Sequence, residues 1–399
     1  MQNEVMFDRL LKINIAPRTS YFLFGPRGTG KTTWIQATLP EALYLDLLKF
    51  SLYKELMADP GRLETLIPRD WKNLIVLDEV QRVPLLLHEV HRLIESKGYS
   101  FLLTGSSARS LRRQGTNLLA GRALHYHMHP LTIQELGDHF QLAKVLKFGL
   151  LPQAVTGADP DLYLETYLQA YLQQELVQEA ATRHVDAFFR FLEVASFSQG
   201  SLLNITEIAR EVGVARSAIT TYFTILEDML IARQLPPFTK RSKRRLVMHG
   251  KFYFFDVGVY RKLRPMGLLD TQEEAEGIAL ESLFFQSLLA INDYYRLGYK
   301  FFFWRTAHGN EVDFIAYGPQ GFHAFEIKRG RSVSRKAMDG LQEFHKDYPE
   351  AKLYLLYLGD SRQYHGPIDV IPFEEALKAL PVLLSGAAEL PPSATQVVR

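Results

Sequence analysis

Short apolar runs alternate with stretches of helical periodicity along the first part of the chain. Four of these runs have the character of strands: Tyr21–Phe24, Ala42–Leu47, Asn73–Leu77 and Tyr99–Thr104. A buried parallel strand is a continuous apolar run, because helices cover both faces of its sheet. Regular alternation of such strands with helices predicts an α/β domain built on a parallel sheet, and we assign it residues 1–158.

The pattern changes twice further along the chain. Residues 159–265 begin with a helical connector and continue with three helical patterns and two short strands around a basic turn, which predicts an α+β winged helix. Residues 266–385 carry a helix near Glu273–Leu289 and then strands, which predicts a second α/β domain. Those strands are Phe301–Thr306, Val312–Tyr317 and His323–Lys328. Residues 386–399 are expected to form a loose tail.

A glycine-rich segment follows the first predicted strand and precedes a helix. It fits the pattern G-x-x-x-x-G-K-[ST] in full, with Gly25, Pro26, Arg27, Gly28, Thr29, Gly30, Lys31 and Thr32, followed by Thr33. The glycines let successive backbone N–H groups point at phosphate oxygens, and the helix N-terminus adds partial positive charge. We expect Lys31 to reach the β- and γ-phosphates of ATP and the Thr32 hydroxyl to ligate Mg²⁺.

Two acids follow the third predicted strand. Asp78 and Glu79 would emerge at the carboxyl edge of the sheet, where ligands bind in such folds. We expect Asp78 to hold Mg²⁺ and Glu79 to polarise the attacking water, since phosphoryl transfer depends mostly on positioning and charge stabilisation. The next strand ends in residues with hydroxyl groups. Of these, Ser106 is our first candidate for sensing the γ-phosphate, and Thr104 is the second. Arg122 is our choice for supplying charge to a neighbouring subunit's ATP, with a solvated surface arginine as the alternative.

Four short strings of this region carry a resemblance: Leu77–Gln81, Leu103–Ser107, Leu119–Arg122 and Pro130–Thr132. They are similar to recurrent strings of the AAA+ superfamily, in particular of a large prokaryotic family that joins an AAA-type ATPase to a C-terminal domain of unknown function. The resemblance extends from about Arg18 to about Gly359. It implies an ATPase that forms a homo-oligomer, such as a hexameric ring.

The middle region has the pattern of a helix–turn–helix. Asn204 is placed to cap a short amphipathic helix, Gly213 makes the turn, and Ser217 is expected to cap the next helix. The basic turn that follows resembles a wing, whose cations would make DNA binding salt-dependent. A solvated basic loop, or a winged fold used only for protein contacts, is the alternative. The candidate DNA-binding residues are Arg216, Ser217, Thr220, Lys240, Arg241, Lys243, Arg244 and Arg245.

Carboxylates and a lysine come together in the predicted C-terminal strands. A hairpin through Gly318–Gly321 would place Asp313 beside Glu326, and strand alternation puts Glu326 and Lys328 on one face. Two carboxylates can hold Mg²⁺, and a lysine can orient a water for attack on phosphate. The arrangement resembles the restriction-endonuclease-like fold, which implies that Asp313, Glu326 and Lys328 are catalytic and that Glu281 is an accessory ligand. A nuclease-like fold that only contacts DNA or protein, and an unrelated fold, are the alternatives.

Composition adds a few constraints. The formal net charge is only +2, so any basic surface must be local. The absence of cysteine excludes disulfides and thiolate metal sites and fits a cytoplasmic protein. Residues 1–5 lack the start of a signal peptide, and no apolar run reaches the ~18 residues of a membrane span, so no membrane partner is expected.

These patterns together predict a cytoplasmic, Mg²⁺-dependent ATPase that binds DNA and remodels it or translocates along it, on duplex or branched substrates. The prediction rests on the nucleotide motif, the basic winged helix and the carboxylate set. Two other functions stay open. One is an ATP-controlled DNA nuclease, and the other is a signalling ATPase whose winged helix binds protein.

Overall fold

The structure is a computed structural model, and it describes residues 7–107, 119, 121–172, 185–240, 249–267 and 271–386. The described residues form two compact units. The first unit comprises residues of 11–130 and 225–231, and the second comprises the described residues elsewhere in the chain. Within the described ranges, no helix combines the length and the apolar character that a membrane crossing requires.

A parallel sheet forms the centre of the first unit. Its strands are β1 (Ser20–Phe24), β2 (Leu43–Asp46), β3 (Ile75–Asp78), β4 (Phe101–Gly105) and β5 (Ala123–His127). The strand order is β2-β3-β4-β1-β5, and each neighbouring pair runs parallel. The helices are α1 (Lys31–Thr38), α2 (Phe50–Ala58), α3 (Leu63–Leu66) and α4 (Leu86–Lys97), with 3₁₀ turns at Pro60–Arg62 and Val80–Arg82. The predicted α/β fold with a parallel sheet is confirmed.

Burial of this sheet explains its apolar runs. Every residue of β1, β3 and β4 is buried, whereas the edge strand β2 is only half-buried. Phe22, Leu77 and Leu103 belong to one core cluster, and burying a side chain of that size contributes about 2 kcal/mol. This packing fixes the strands whose carboxyl ends carry the candidate site. Because β4 lies between β1 and β3, polar side chains at its end lie between the glycine-rich loop and Asp78.

Helices make up much of the second unit before its large sheet. They are α5 (Ile133–Leu136), α6 (Leu142–Phe148), α7 (Pro152–Thr156), α8 (Pro160–Thr166), α9 (Val185–Phe197), α10 (Ile205–Val212), α11 (Arg216–Asp228) and α12 (Val257–Leu263), with a 3₁₀ turn at Gly137–His139 and a π-helical segment at Tyr167–Leu172. The last turn of α11 belongs to the first unit. Strands β6 (Ala232–Leu235) and β7 (Lys251–Phe254) pair antiparallel as a separate two-stranded sheet.

The α10–α11 pair has the local chemistry of a helix–turn–helix. The Asn204 side chain caps α10 by accepting from the Glu207 backbone N–H at 3.2 Å. Gly213 ends α10 with a φ of 76°, which suits glycine. The expected cap at Ser217 is wrong, because α11 begins at Arg216 and the Ala215 carbonyl already accepts from Ile219. Ser217 therefore lies inside the first turn.

A mixed six-stranded sheet forms the C-terminal part of the second unit. Its strands are β8 (Lys300–Arg305), β9 (Glu311–Gly318), β10 (Gly321–Lys328), β11 (Lys352–Tyr357), β12 (Gln363–His365) and β13 (Ile368–Pro372), in the order β12-β13-β11-β10-β9-β8. The β10, β11 and β13 strands run parallel, and the β8–β9, β9–β10 and β12–β13 pairs are antiparallel. The accompanying helices are α13 (Gln272–Tyr294), α14 (Asp339–Asp347) and α15 (Phe373–Ser385), with a 3₁₀ turn at Arg335–Met338.

Candidate functional site

The glycine-rich loop joins β1 to α1 and curls tightly. Gly28 and Gly30 have φ angles of 80° and 91°, in the left-handed region that favours glycine. A Cβ atom on Gly25 would lie 2.4 Å from the Met128 carbonyl oxygen, so a larger residue would displace the backbone. The Thr29 hydroxyl donates to the Pro26 carbonyl at 2.8 Å and closes the loop. The loop is thus preformed, with Arg27 exposed at its tip and Thr33 exposed on α1.

Lys31 lies in this loop with its ammonium bonded to the backbone. It is 5% exposed, and its Nζ donates to the carbonyls of Gly25 at 2.7 Å and Pro26 at 3.2 Å. A phosphate oxygen is a stronger partner for an ammonium than a neutral carbonyl, because both groups then carry charge. The loop therefore holds a buried cation close to where the motif places the phosphates.

Asp78 is buried at the end of β3 among hydroxyl groups. Its Oδ2 accepts from the Thr32 hydroxyl at 2.9 Å and from the Tyr44 hydroxyl, and its Oδ1 accepts from the Thr104 hydroxyl. Burial, and then the hydrogen bond to Asp78, raise the pKa of Tyr44 above its ordinary value, so Tyr44 remains a donor. Within the described part of the chain, the partners of this carboxylate are neutral.

Glu79 occupies a strained position immediately after Asp78. Its φ of 61° is left-handed, which costs roughly 1–3 kcal/mol for a residue other than glycine. Its N–H donates to the Thr104 hydroxyl at 3.0 Å, and its Oε2 accepts from Gln81 Nε2. The same Gln81 nitrogen donates to the buried Ser106 hydroxyl at 2.9 Å. Gln81 thus connects Glu79 to Ser106.

The sequence reasoning missed Tyr44 and Gln81. A weak signal existed for each: Tyr44 lies on the strand before Asp78, and Gln81 follows Glu79 by two residues. Arg122, the candidate for acting on a neighbouring subunit, is exposed and forms an ion pair with Glu95 on α4.

The candidate DNA-binding residues fall into two groups. Arg216, Ser217 and Thr220 are exposed at the start of α11, and Lys240 is exposed after β6. The ammonium of Lys240 lies 4.3 Å from the centre of the Tyr317 ring. The remaining candidates, Arg241, Lys243, Arg244 and Arg245, lie outside the described residues.

The C-terminal carboxylates come together through the β9–β10 hairpin, the pairing that the sequence predicted. The Asp313 N–H donates to Glu326 Oε2 at 3.3 Å, and the Ile327 N–H donates to Asp313 Oδ2 at 2.8 Å. The Lys328 ammonium pairs with Glu326 Oε1. Asp313 and Glu326 are each 6% exposed. Burial, and then the charge of Asp313, raise the pKa of Glu326 well above its ordinary value.

A second lysine and two further carboxylates join this cluster. Lys251 of β7 is 3% exposed, and its Nζ pairs with Glu311 and lies 4.0 Å from Asp313 Oδ1. Glu281 on α13 accepts from the Tyr253 hydroxyl at 3.1 Å. Burial, and then the charge of Asp313, raise the pKa of Glu281 to about 8. These groups line a cleft of about 710 Å³.

The two sites fit a divalent metal differently. Mg²⁺ prefers oxygen ligands and is usually bound by one or two protein groups together with substrate phosphates. The Thr32 hydroxyl and the Asp78 carboxylate, 2.9 Å apart beside the phosphate loop, fit that description. At the C-terminal cleft, Glu311 and Glu326 instead form ion pairs with Lys251 and Lys328. Among the described residues, no three histidine or acidic side chains are arranged to hold a metal ion.

Comparison with known protein families divides the chain into three parts. Residues 17–137 match the model of an AAA domain, residues 139–270 match a domain of unknown function (DUF8612), and residues 276–376 match another (DUF4143). The predicted resemblance, an AAA-type domain joined to a C-terminal domain of unknown function, is confirmed.

The individual proteins that resemble this chain share little sequence identity with it. The uncharacterized proteins Mb2031c of Mycobacterium bovis and Rv2008c of Mycobacterium tuberculosis are each 27% identical over 398 residues, covering 92% of this chain and 81% of the relative. Among solved structures, the Aeropyrum pernix ORC1 protein in complex with DNA is 14% identical with a TM-score of 0.23, over 61% of this chain and 86% of that one. Protein VC1899 from Vibrio cholerae is 12% identical with a TM-score of 0.24, over 92% and 97%. Neither structural likeness is close enough to support an argument.

Proposed function

We propose that the chain hydrolyses ATP to ADP and phosphate with Mg²⁺, and that it couples hydrolysis to binding and remodelling DNA or translocating along it. The observation that carries the proposal is the hydrogen bond of 2.9 Å between the Thr32 hydroxyl and Asp78, beside a buried Lys31. The match of residues 17–137 to an AAA domain supports the same nucleotide chemistry. We place this activity in the cytoplasm.

Each residue of the site has a task in hydrolysis. The loop amides and Lys31 bind the phosphates, which replace the carbonyls of Gly25 and Pro26 as partners of the ammonium. Thr32 and Asp78 would hold Mg²⁺, which supplies positive charge against the phosphates. Glu79 orients the attacking water, and Gln81 fixes Glu79 relative to Ser106.

Two substitutions test the ATPase. Lys31→Ala removes the ammonium, so nucleotide binding or turnover is lost, whereas Lys49→Ala, at an exposed lysine of the same unit, leaves both unchanged. Glu79→Gln keeps the shape of the side chain but removes its negative charge, so ATP still binds and hydrolysis stops. Binding is read from a fluorescent ATP analogue and turnover from released phosphate. Normal turnover in Glu79→Gln contradicts the role assigned to Glu79.

The DNA part of the proposal is supported by exposed polar and basic groups at the start of α11 and at Lys240. Each phosphate that a protein neutralises adds roughly −0.9 to the slope of log affinity against log salt. We expect binding to duplex and branched DNA that weakens with salt and that weakens further in the double variant Lys243→Ala with Arg244→Ala. The matched control is Lys346→Ala with Lys378→Ala, at exposed or partly exposed lysines on α14 and α15.

A signalling ATPase with a protein partner is the competing function. Absence of DNA affinity at low salt, or affinity unchanged in the double variant, would favour it. Electron microscopy with an ATP analogue and a panel of DNA structures would report the oligomer as well. We expect a homo-oligomer, such as a hexameric ring, in which Arg122 lies near the nucleotide of a neighbouring subunit.

A further inference from the structure

The C-terminal acidic cluster has internal partners for its charges. Four carboxylates line the cleft, from Glu281, Glu311, Asp313 and Glu326. Three cations of the cleft form ion pairs with them: Lys251 pairs with Glu311 and approaches Asp313, Lys328 pairs with Glu326, and Arg305 donates to Glu311 at 2.9 Å. A divalent ion normally supplies this charge when carboxylates converge. Here side chains supply most of it.

Three of the four oxygens of Asp313 and Glu326 also accept hydrogen bonds. Asp313 Oδ2 accepts from the Ile327 N–H at 2.8 Å, and Asp313 Oδ1 faces Lys251 at 4.0 Å. One oxygen of Glu326 accepts from the Asp313 N–H and the other from Lys328. A metal ion that binds through these three oxygens would compete with their present donors.

Lys251 is the cation that is hardest to move. Its side chain is 3% exposed, whereas those of Lys328 and Arg305 are 40% and 37% exposed and can turn toward solvent. Lys251 also lies against the Phe303 ring, with its ammonium 5.6 Å from the ring centre. A metal ion beside Asp313 would place two positive centres together in a buried site, which is unfavourable unless one leaves.

We infer that the Lys251 ammonium takes the place of the divalent metal in this cluster, so that the cleft excludes Mg²⁺ and the C-terminal domain does not cut DNA by metal-dependent hydrolysis. The inference is independent of the ATPase proposed above, because it concerns only residues of the second unit. It assigns Lys251 the role of an internal counter-ion.

Manganese binding tests the inference directly. Electron paramagnetic resonance would count bound Mn²⁺ on the full chain without nucleotide, with Asp78→Asn as the parent so that the ATPase site contributes nothing. The parent should leave Mn²⁺ free. Lys251→Met in that parent should bind Mn²⁺ at least tenfold more tightly than the parent does, because the acids then lack their buried cation. The gained site should vanish when Glu326→Gln is added.

Lys336→Met is the matched control, since Lys336 lines the same cleft but is exposed. Lys336→Met should leave the Mn²⁺ binding of the parent unchanged. If Lys251→Met folds by circular dichroism yet gains no Mn²⁺, Lys251 does not stand in a metal site and the inference is wrong.

Two results decide the matter even if Lys251→Met does not fold, one on the parent and one on the unmodified chain. Mn²⁺ bound by the parent and lost in Glu326→Gln overturns the inference. So does Mg²⁺-dependent cutting of plasmid DNA by the unmodified chain that is lost on Glu326→Ala. Free Mn²⁺ in the parent and intact plasmid support it.

Discussion

Buried carboxylates in the two units are held in opposite ways, at Asp78 in the first and at Asp313 in the second. Asp78 in the first unit accepts hydrogen bonds from the hydroxyls of Thr32, Tyr44 and Thr104. Asp313 in the second unit lies near the ammonium of Lys251, in a cluster that also contains Lys328. Hydroxyls orient a carboxylate and leave its charge in place, whereas lysines neutralise it.

A carboxylate can thus be held in position with its charge intact or with its charge neutralised. A carboxylate fixed by neutral donors keeps its attraction for a cation that arrives with a ligand. A carboxylate already paired with a buried ammonium gains little from a further cation and would have to give up the first. The same residue type is therefore proposed to bind metal in one unit, whereas in the other it is paired internally.

The largest effect is expected at Asp78 itself. Asp78→Asn keeps the hydrogen-bonding shape but removes the charge, and we expect ATP turnover to fall by about a hundredfold to a thousandfold. Asp46→Asn is the matched control, because Asp46 lies beside Asp78 in the sheet register and accepts only from a nearby N–H in the described contacts. Released phosphate measures both. Equal losses of turnover in the two variants would show that hydrolysis needs acidic residues at the ends of these strands in general, rather than Asp78 in particular.

The next effect concerns stability of the second unit. Lys251→Met leaves buried carboxylates without their cation, and we expect the free energy of unfolding to fall by about 3 kcal/mol. Arg305→Met removes a more exposed partner of the same Glu311 and should cost less than about 1 kcal/mol. Chemical denaturation followed by circular dichroism compares them. A smaller loss for Lys251→Met than for Arg305→Met would contradict the central place given to Lys251.

A smaller effect is expected from the hydroxyl that serves both acids of the first unit. Thr104→Val removes the donor to Asp78 and the acceptor for the Glu79 N–H at 3.0 Å. We expect turnover to fall by about tenfold, since the positioning of both acids weakens. Thr65→Val, at an exposed position of α3, should have no effect. Unchanged turnover in Thr104→Val would remove Thr104 from the site.

The smallest effect is expected at Tyr44. Tyr44→Phe removes one of the hydroxyl donors to Asp78 and leaves Thr32 and Thr104 in place. We expect the Mg²⁺ concentration needed for half-maximal turnover to change by about threefold, with maximal turnover preserved. A loss as large as that of Thr104→Val would mean that Tyr44, rather than Thr104, fixes Asp78.

The sequence predicted the first unit well, because its signals are local. The apolar runs of β1, β3 and β4 are continuous, since these strands are buried on both faces. The glycine-rich loop is a contiguous motif between a strand and a helix. Tyr44 escaped prediction because it reaches Asp78 from another strand, through a register that only the folded sheet shows.

The second unit was harder to predict from the sequence, because much of its acidic cluster depends on contacts between residues that are distant in the sequence. The β9–β10 hairpin follows from neighbouring strands, and so does the approach of Asp313 to Glu326. Lys251 lies more than sixty residues before Asp313 in the sequence, and no spacing rule joins them. Strands β11 to β13 were not predicted either. A cluster formed by residues so far apart in the sequence can be recognised only once the structure is known.

The number of Mn²⁺ ions bound per chain, counted with and without a non-hydrolysable ATP analogue, compares the two clusters most directly. We expect one tightly bound ion when the analogue is present and none in its absence, because Asp78 is proposed to hold a metal beside the phosphates, whereas the C-terminal acids are paired with Lys251 and Lys328. An ion that binds without nucleotide and persists in Asp78→Asn would contradict it.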